Sequence, residues 1–159
     1  MRDELTGLYN RRGFLDLARQ QLAIAGQMAR PALLFFVDLN GMKQINDQLG
    51  HEQGDRALVE TADVLRTTFR GSDILARLGG DEFVALLMDS NSVQLSTFTE
   101  RVEREIEARN AAPDRAYRLS ASIGCAPFDP SSPTSIDALL ARADALMYEQ
   151  KRARRGAGR

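Results

Sequence analysis

Two acids that follow a pair of glycines, Gly79-Gly80-Asp81-Glu82, and a third acid that closes an apolar run, Asp38 after residues 33–37, are the side chains whose types and spacing could do chemistry. Asp38 stands where a strand would give way to a solvated loop. Asp81 and Glu82 stand at the turn of a β-hairpin between the strand-like runs 74–78 and 83–88. If strand and hairpin are neighbours, Asp38 meets a hairpin carboxylate. That is too few hard oxygen ligands for a closed Ca²⁺ cage. It suits Mg²⁺, which keeps several waters and completes its shell with substrate phosphates. Two such ions activate an attacking hydroxyl and stabilise the leaving oxygen of an in-line displacement at phosphorus. Adjacent strand residues point to opposite faces, so Asp81 and Glu82 are not expected to face Asp38 equally unless the turn twists them. Taken singly, each acid is an ordinary turn residue. The glycine pair ahead of them also leaves backbone room for a phosphate or a base.

The stretch from Asp38 through Asn40, Gly41, Met42, Asn46, Asp47, Gly50 and Gly54 to Asp55 reads as a loop dense in Gly, Asn and Asp between a strand and a helix. Backbone amides in such loops form anion-binding concavities. Asn46 and Asp55 carry groups suited to a purine edge. Guanine offers N1–H and the 2-amino group to a single carboxylate, and adenine, lacking that pair, would leave a buried Asp unpaired. Asp55 reads equally well as the N-cap of the helix that follows. The chain has no GxxxxGK[ST] phosphate loop. His51, the single histidine, is assigned no chemical role.

These groups need elements to position them. Phe14, Ala18 and Leu22 place a helix over 11–27, and the apolar run 33–37 suits a central strand covered on both faces. Leu58, Ala62, Leu65 and Phe69 mark a helix from about Asp55. Leu95, Phe98, Val102 and Ile106 mark another, and residues 117–126 read as a strand. Thr134 or Ser135 caps a last helix striped by Ile136, Leu139, Leu140, Ala143 and Met147, and the Arg- and Gly-rich end 152–159 is expected to fray. The order is αβαββαβα. Without its first helix it is the split-βαβ, ferredoxin-like α+β arrangement, a mainly antiparallel sheet with helices packed on one face.

Composition narrows the partners. The 159 residues suffice for one domain, and 43% hydrophobic with 27% charged content is ordinary for a globular chain. A net charge of −1 advertises neither a nucleic acid polymer nor a membrane surface. The lone cysteine, Cys125, fits a reducing, cytoplasmic setting. The expectation is a cytoplasmic domain, either free-standing or the cytoplasmic part of a longer, membrane-anchored protein.

Several ordered motifs resemble the GGDEF domain of bacterial diguanylate cyclases over nearly the whole chain. Asp3-Glu4-Leu5-Thr6-Gly7-Leu8-Tyr9-Asn10-Arg11-Arg12 is similar to the family's opening DxLTGLxNRR, and the segment 38–55 to its D(I/L)DxFKxIND…GHxxGD. Arg77-Leu78-Gly79-Gly80-Asp81-Glu82-Phe83 matches RxGGDEF. Leu119-Ser120-Ala121-Ser122-Ile123-Gly124 resembles the late (V/T)xSIG strand, and Ala143-Asp144-Ala145-Leu146-Met147-Tyr148 with Lys151 the closing ADxALYxAK helix. The resemblance implies a palm like that of nucleotidyl cyclases, one GGDEF catalytic domain over 1–155 with a frayed tail at 156–159. It implies condensation of two GTP into cyclic di-GMP and two pyrophosphates by a homodimer, with two Mg²⁺ or Mn²⁺ ions per half-site. An upstream sensory domain is expected outside this chain.

Carried over by position, the resemblance makes Asp38, the Leu39 carbonyl and Asp81 metal ligands, with Asp81 also the base toward the 3′-hydroxyl and Glu82 in support. Asn46 and Asp55 would read guanine. The Gly41-Met42 backbone, Lys151 and Arg155 would hold the β- and γ-phosphates. Arg70-Gly71-Ser72-Asp73 takes the place of the family's RxxD inhibitory product site, with Arg101 a secondary product contact; the same tetrad also reads as an ordinary helix end. The departures are Asn40 for the commoner Asp, Met42 for Phe, Gln150 for Ala, Arg154 for Gly and Gly156 for Asn. Arg154 is therefore the alternative phosphate cation to Arg155. The competing function is an idle GGDEF module that binds GTP or cyclic di-GMP as a sensor.

Overall fold

The computed structural model describes residues 1–157. Its elements are α1 (Arg11–Gln27), β1 (Ala32–Leu39), α2 (Met42–Leu49), α3 (His51–Thr68), β2 (Ile74–Gly79), β3 (Glu82–Met88), α4 (Leu95–Asn110), β4 (Ala121–Phe128) and α5 (Ile136–Ala157). Asn10 starts α1 by accepting the Gly13 N–H at 2.9 Å, and Ser135 Oγ accepts the Ala138 N–H at 3.1 Å at the head of α5. The strands form one sheet in the order β2-β3-β1-β4, every neighbour antiparallel. This is the ferredoxin-like order that the element sequence implies.

All of β1 is buried, as its unbroken apolar run requires. Leu33, Phe35 and Val37 pack with Leu65, Phe69, Phe98 and Val102 of the α3–α4 layer. Leu34 and Phe36 pack with Phe14 and Ala18 of α1 and with Leu139, Ala143 and Met147 of α5. Helices therefore cover both faces, not one. The helices outside the βαββαβ repeat, α1 and α5, supply the second layer, because alternate apolar residues of β1 demand a partner on each side.

Four local expectations change. The segment before Asp55 is not a loop: Gly41, at φ 76°, turns the chain into α2, whose Met42 and Ile45 pack against the core one helical turn apart. Gly50, not Asp55, is the N-cap of α3, and Asp55 lies inside that helix. β4 begins at Ala121, since the Asn110 side chain binds both the N–H and the carbonyl of Leu119, each at 2.8 Å, in place of strand pairing. The helix α5 continues through Arg152–Ala157, where fraying was expected; residues 158 and 159, the rest of the expected tail, lie outside the described residues.

Candidate active site

The site forms where β1 ends beside the β2–β3 hairpin. Gly80 and Asp81 are the two residues at its tip, and Gly79 and Gly80 take φ of 147° and 51°, which side-chain-bearing residues rarely adopt. The register shifts between Arg77 and Gly79, a bulge that twists the turn. Arg77 fixes the result: its Nε donates to the Gly80 carbonyl at 2.9 Å, while its Nη1 lies 3.1 Å from Asp3 Oδ1 in the N-terminal turn. The Leu39 N–H donates to the Asp81 carbonyl at 3.1 Å, which ties the hairpin tip to the end of β1.

Asp38 is 8% exposed and pairs across the ladder with Glu82. Asp81 lies near enough to Asp38 for the Asp38 charge to raise its carboxyl. Both hairpin acids therefore sense Asp38, and strand alternation separates them less than expected because of the bulge and the tight turn. Their surroundings still differ. Burial first, and then the charge of Asp38 and the hydrogen bond to it, push the Asp81 carboxyl up to about 6. Glu82 is also raised, by burial and then by Asp38 and Asp144, with Arg11 and Lys151 opposing.

The counter-charge is Lys151, whose Nζ lies 2.6 Å from Asp38 Oδ2. Asp38 Oδ1 is buried and accepts no hydrogen bond among the described residues. What the carboxyl pair lacks is more positive charge, which a bound cation would supply. A divalent ion fits that deficit. Among the described residues no three His, Cys, Asp or Glu side chains are grouped to hold a metal. An ion here would be held by Asp38, Asp81 and the Leu39 carbonyl, with water and substrate oxygens for the rest, which is the habit of Mg²⁺.

A cleft of about 540 Å³ opens at Asp81, lined by Leu39, Gly41, Met42, Asp81, Lys151 and Arg155 among others, with Asp38 behind its wall. Six of the sequence-predicted residues thus share one wall. The first amides of α2 have no side-chain cap and face the cleft as a ready anion site. Asn46 and Asp55 are not on this wall. Asn46 lies one turn along α2 from Met42, ~6 Å at 1.5 Å per residue, its side chain against Gly54 of α3. Asp55 is exposed on the next residue, at a neighbouring cavity of about 860 Å³.

Arg70 and Asp73 line a separate cavity of about 520 Å³. Asp73 Oδ2 accepts the Arg70 N–H at 2.9 Å, the ordinary turn contact, but its Oδ1 is buried without a partner among the described residues, and burial raises its carboxyl. Arg101 does not line that cavity; it lies over the Phe98 ring, 5.5 Å from its centroid.

Sequence reasoning missed Lys43, Gln44 and Ser120 on the cleft wall. It also missed the bracket beside them. Asn40 Nδ2 donates to Ser120 Oγ, and Asn40 Oδ1 accepts from Ser122 Oγ, both at 3.0 Å. The signal was the polar alternation of Ser120, just before β4, and Ser122, inside an otherwise apolar strand.

Residues 1–157 match the family described as "Diguanylate cyclase, GGDEF domain". The chain is 32% identical over 151 residues to the diguanylate cyclase DgcP of Escherichia coli (strain K12), covering 94% of this chain and 44% of that protein. It is 36% identical over 151 residues to the bifunctional diguanylate cyclase/cyclic di-GMP phosphodiesterase MucR of Pseudomonas aeruginosa, covering 95% of this chain and 22% of that protein. The GGDEF domain of DgcB from Caulobacter crescentus, solved in complex with c-di-GMP, superposes with a TM-score of 0.86 at 28% identity, over 96% of this chain and 90% of that one. Diguanylate cyclase SiaD of Pseudomonas aeruginosa, solved with its activator SiaC, gives a TM-score of 0.86 at 31% identity, over 96% and 58%. The chain spans less than half the length of these curated relatives.

Proposed function

Because this chain belongs to the GGDEF-domain family of diguanylate cyclases, we propose that it condenses two GTP molecules into cyclic di-GMP and two pyrophosphates, working as a homodimer with each copy holding one GTP. The observation that carries the reading is that Asp81, beside Asp38, lines one cleft together with the uncapped N-terminus of α2. The acids would hold a cation that attracts a phosphate, and the amides suit further phosphates.

In this mechanism Asp38, Asp81 and the Leu39 carbonyl would hold Mg²⁺ or Mn²⁺, two ions per half-site, with Glu82 in support. When bound, such ions neutralise the phosphates and lower the barrier to in-line displacement. Asp81 takes the proton of the 3′-hydroxyl brought by the GTP of the partner subunit. The new 3′-O–P bond forms as the bond between the α-phosphorus and the β-bridging oxygen breaks, and pyrophosphate leaves with the electron pair. The amides at Gly41 and Met42, with Lys151 and Arg155, hold the departing phosphates. Asn46 and Asp55 orient guanine. The reaction happens twice per product, once in each direction across the dimer. A GTP substrate is in keeping with the proposed cytoplasmic location.

Incubation with GTP and Mg²⁺ tests this. The expected result is cyclic di-GMP, at a rate rising faster than linearly with protein concentration. Intact GTP at concentrations that drive dimerisation, with GTP still bound, would instead make the chain a nucleotide sensor. Product inhibition at Arg70–Asp73 belongs to the same proposal, supported by Asp73 Oδ1, which has no partner among the described residues, at its cavity. Arg70→Ala should retain basal turnover and lose inhibition by added product, and unchanged inhibition would remove the site.

A further inference from the structure

The cleft wall carries a third cation of α5, Arg154, beside Lys151 and Arg155. Its Nη1 donates to Ser120 Oγ at 3.4 Å, and its Nη2 lies 3.7 Å from Glu103 Oε1 on α4. Ser120 is itself fixed. Its carbonyl accepts the Asn40 N–H at 2.7 Å, and its hydroxyl accepts from the Asn40 amide, which Ser122 holds from the other side. The guanidinium thus rests on a braced, uncharged platform at the mouth of the cleft.

Its charge is nearly uncommitted. The Arg154 and Glu103 side chains are 43% and 40% exposed, and an ion pair of that exposure is worth under ~1 kcal/mol. Lys151 differs, being held 2.6 Å from Asp38 with both side chains largely covered. A phosphate in the cleft offers Arg154 a bidentate, charge-assisted contact beside Lys151 and Arg155, whereas Glu103 meets it through one exposed contact at 3.7 Å, so the polyanion is the stronger partner. Asn40 matters for the same reason: as an amide it braces Ser120 without adding a carboxylate to compete for the guanidinium.

We propose that Arg154 is a substrate-positioning residue that grips the terminal phosphates of the nucleoside triphosphate, held ready by Ser120 and Glu103. This rests on the reading of the cleft as a GTP site and adds a third cation to Lys151 and Arg155. It makes Arg154 a discriminator between tri- and monophosphates, since a monophosphate has no β- or γ-phosphate for it to grip.

The test is calorimetric titration of the chain, in Mg²⁺, with the non-cleavable guanosine 5′-(α,β-methylene)triphosphate and with GMP. Arg154→Ala should weaken the triphosphate about tenfold, the scale of one charge-assisted hydrogen bond, and leave GMP unchanged. Arg154→Lys should restore part of the loss. Glu103→Gln, which only frees the guanidinium, should bind the triphosphate at least as well as the wild type. If Arg154→Ala binds both ligands as the wild type does, or weakens both equally, the proposal falls. It also falls if Glu103→Gln reproduces the loss, since Arg154 would then be a tie between α4 and α5. A wild-type chain that binds neither nucleotide would sink the GTP reading along with it.

Discussion

Lys151 on α5 reaches Asp38 at the end of β1 across 113 residues of sequence, Nζ to Oδ2 at 2.6 Å. One ammonium thereby neutralises the acid that closes the central strand and stands on the wall of the cleft beside it. The charge that steadies the metal-free fold is the same charge assigned to the phosphates of the substrate, so nucleotide and metal must rearrange this pair together.

Lys151→Met should therefore cost the metal-free domain stability. Asp38 would be left nearly buried with neither oxygen compensated and with Asp81 alongside. Removing one partner of a fully buried pair costs about 3–5 kcal/mol, and the partial exposure here brings the expected loss to about 1–3 kcal/mol. Urea denaturation at neutral pH in chelator measures it. Adding Asp38→Asn should recover much of the loss, and additive losses in the double variant would show that the pair is not coupled.

The Asp81 carboxyl gives stability a definite pH dependence. Its folded value is raised from 3.8 to about 6, so the folded state binds the proton more tightly than the unfolded chain. Without metal, stability should fall as pH rises from about 4 to about 6 and then level off. Asp81→Asn cannot ionise. It should be more stable than the wild type at pH 7 and show little advantage near pH 4, with Mg²⁺ narrowing the gap by stabilising the wild type. Melting curves across that range decide it, and a gap independent of pH would show that Asp81 titrates normally.

How much of this was legible depended on whether a local rule governed the element. Phe14, Ala18 and Leu22 marked α1, and the apolar run ending at Asp38 marked β1, because burial imposes its period on the sequence. The segment over α2 was not legible. Its Gly and Asn content reads as loop, and only packing of Met42 and Ile45 against the core makes it a helix. The hairpin was visible but not its twist, since the bulge between Arg77 and Gly79 shows only in the pairing. In the candidate site, Asp38, Asp81 and Lys151 were named from sequence, yet the Lys151–Asp38 contact joins distant segments that no local spacing could have linked.

Gly124 shows where packing leaves no tolerance. A methyl group on it would overlap backbone atoms of Ala143, Leu146 and Met147, so β4 and α5 touch with nothing between them. Backbone cannot swing aside as a side chain can. Gly124→Ala should push α5, and Lys151 with it, off the sheet. The expected loss is at least about 3 kcal/mol, at the upper end of overpacking costs. Denaturant unfolding and the soluble yield both report it, and a variant as stable as the wild type would mean that α5 shifts freely.

Gly54 presents the opposite balance. A methyl group there would overlap Oδ1 of Asn46, the end of a side chain that can rotate away. Gly54 lies within α3, where alanine is intrinsically favoured over glycine by about 1 kcal/mol. The helix gain offsets the displacement, so Gly54→Ala should melt within about 1 kcal/mol of the wild type. Asn46 would nevertheless leave its place between α2 and α3. If it reads guanine from there, GTP should bind about tenfold more weakly, and the preference for GTP over ATP should shrink by a similar factor. Titration of both nucleotides, paired with a melting curve, separates the two effects. Undiminished preference for GTP in a well-folded Gly54→Ala protein would take Asn46 out of base recognition and leave Asp55 as the reader.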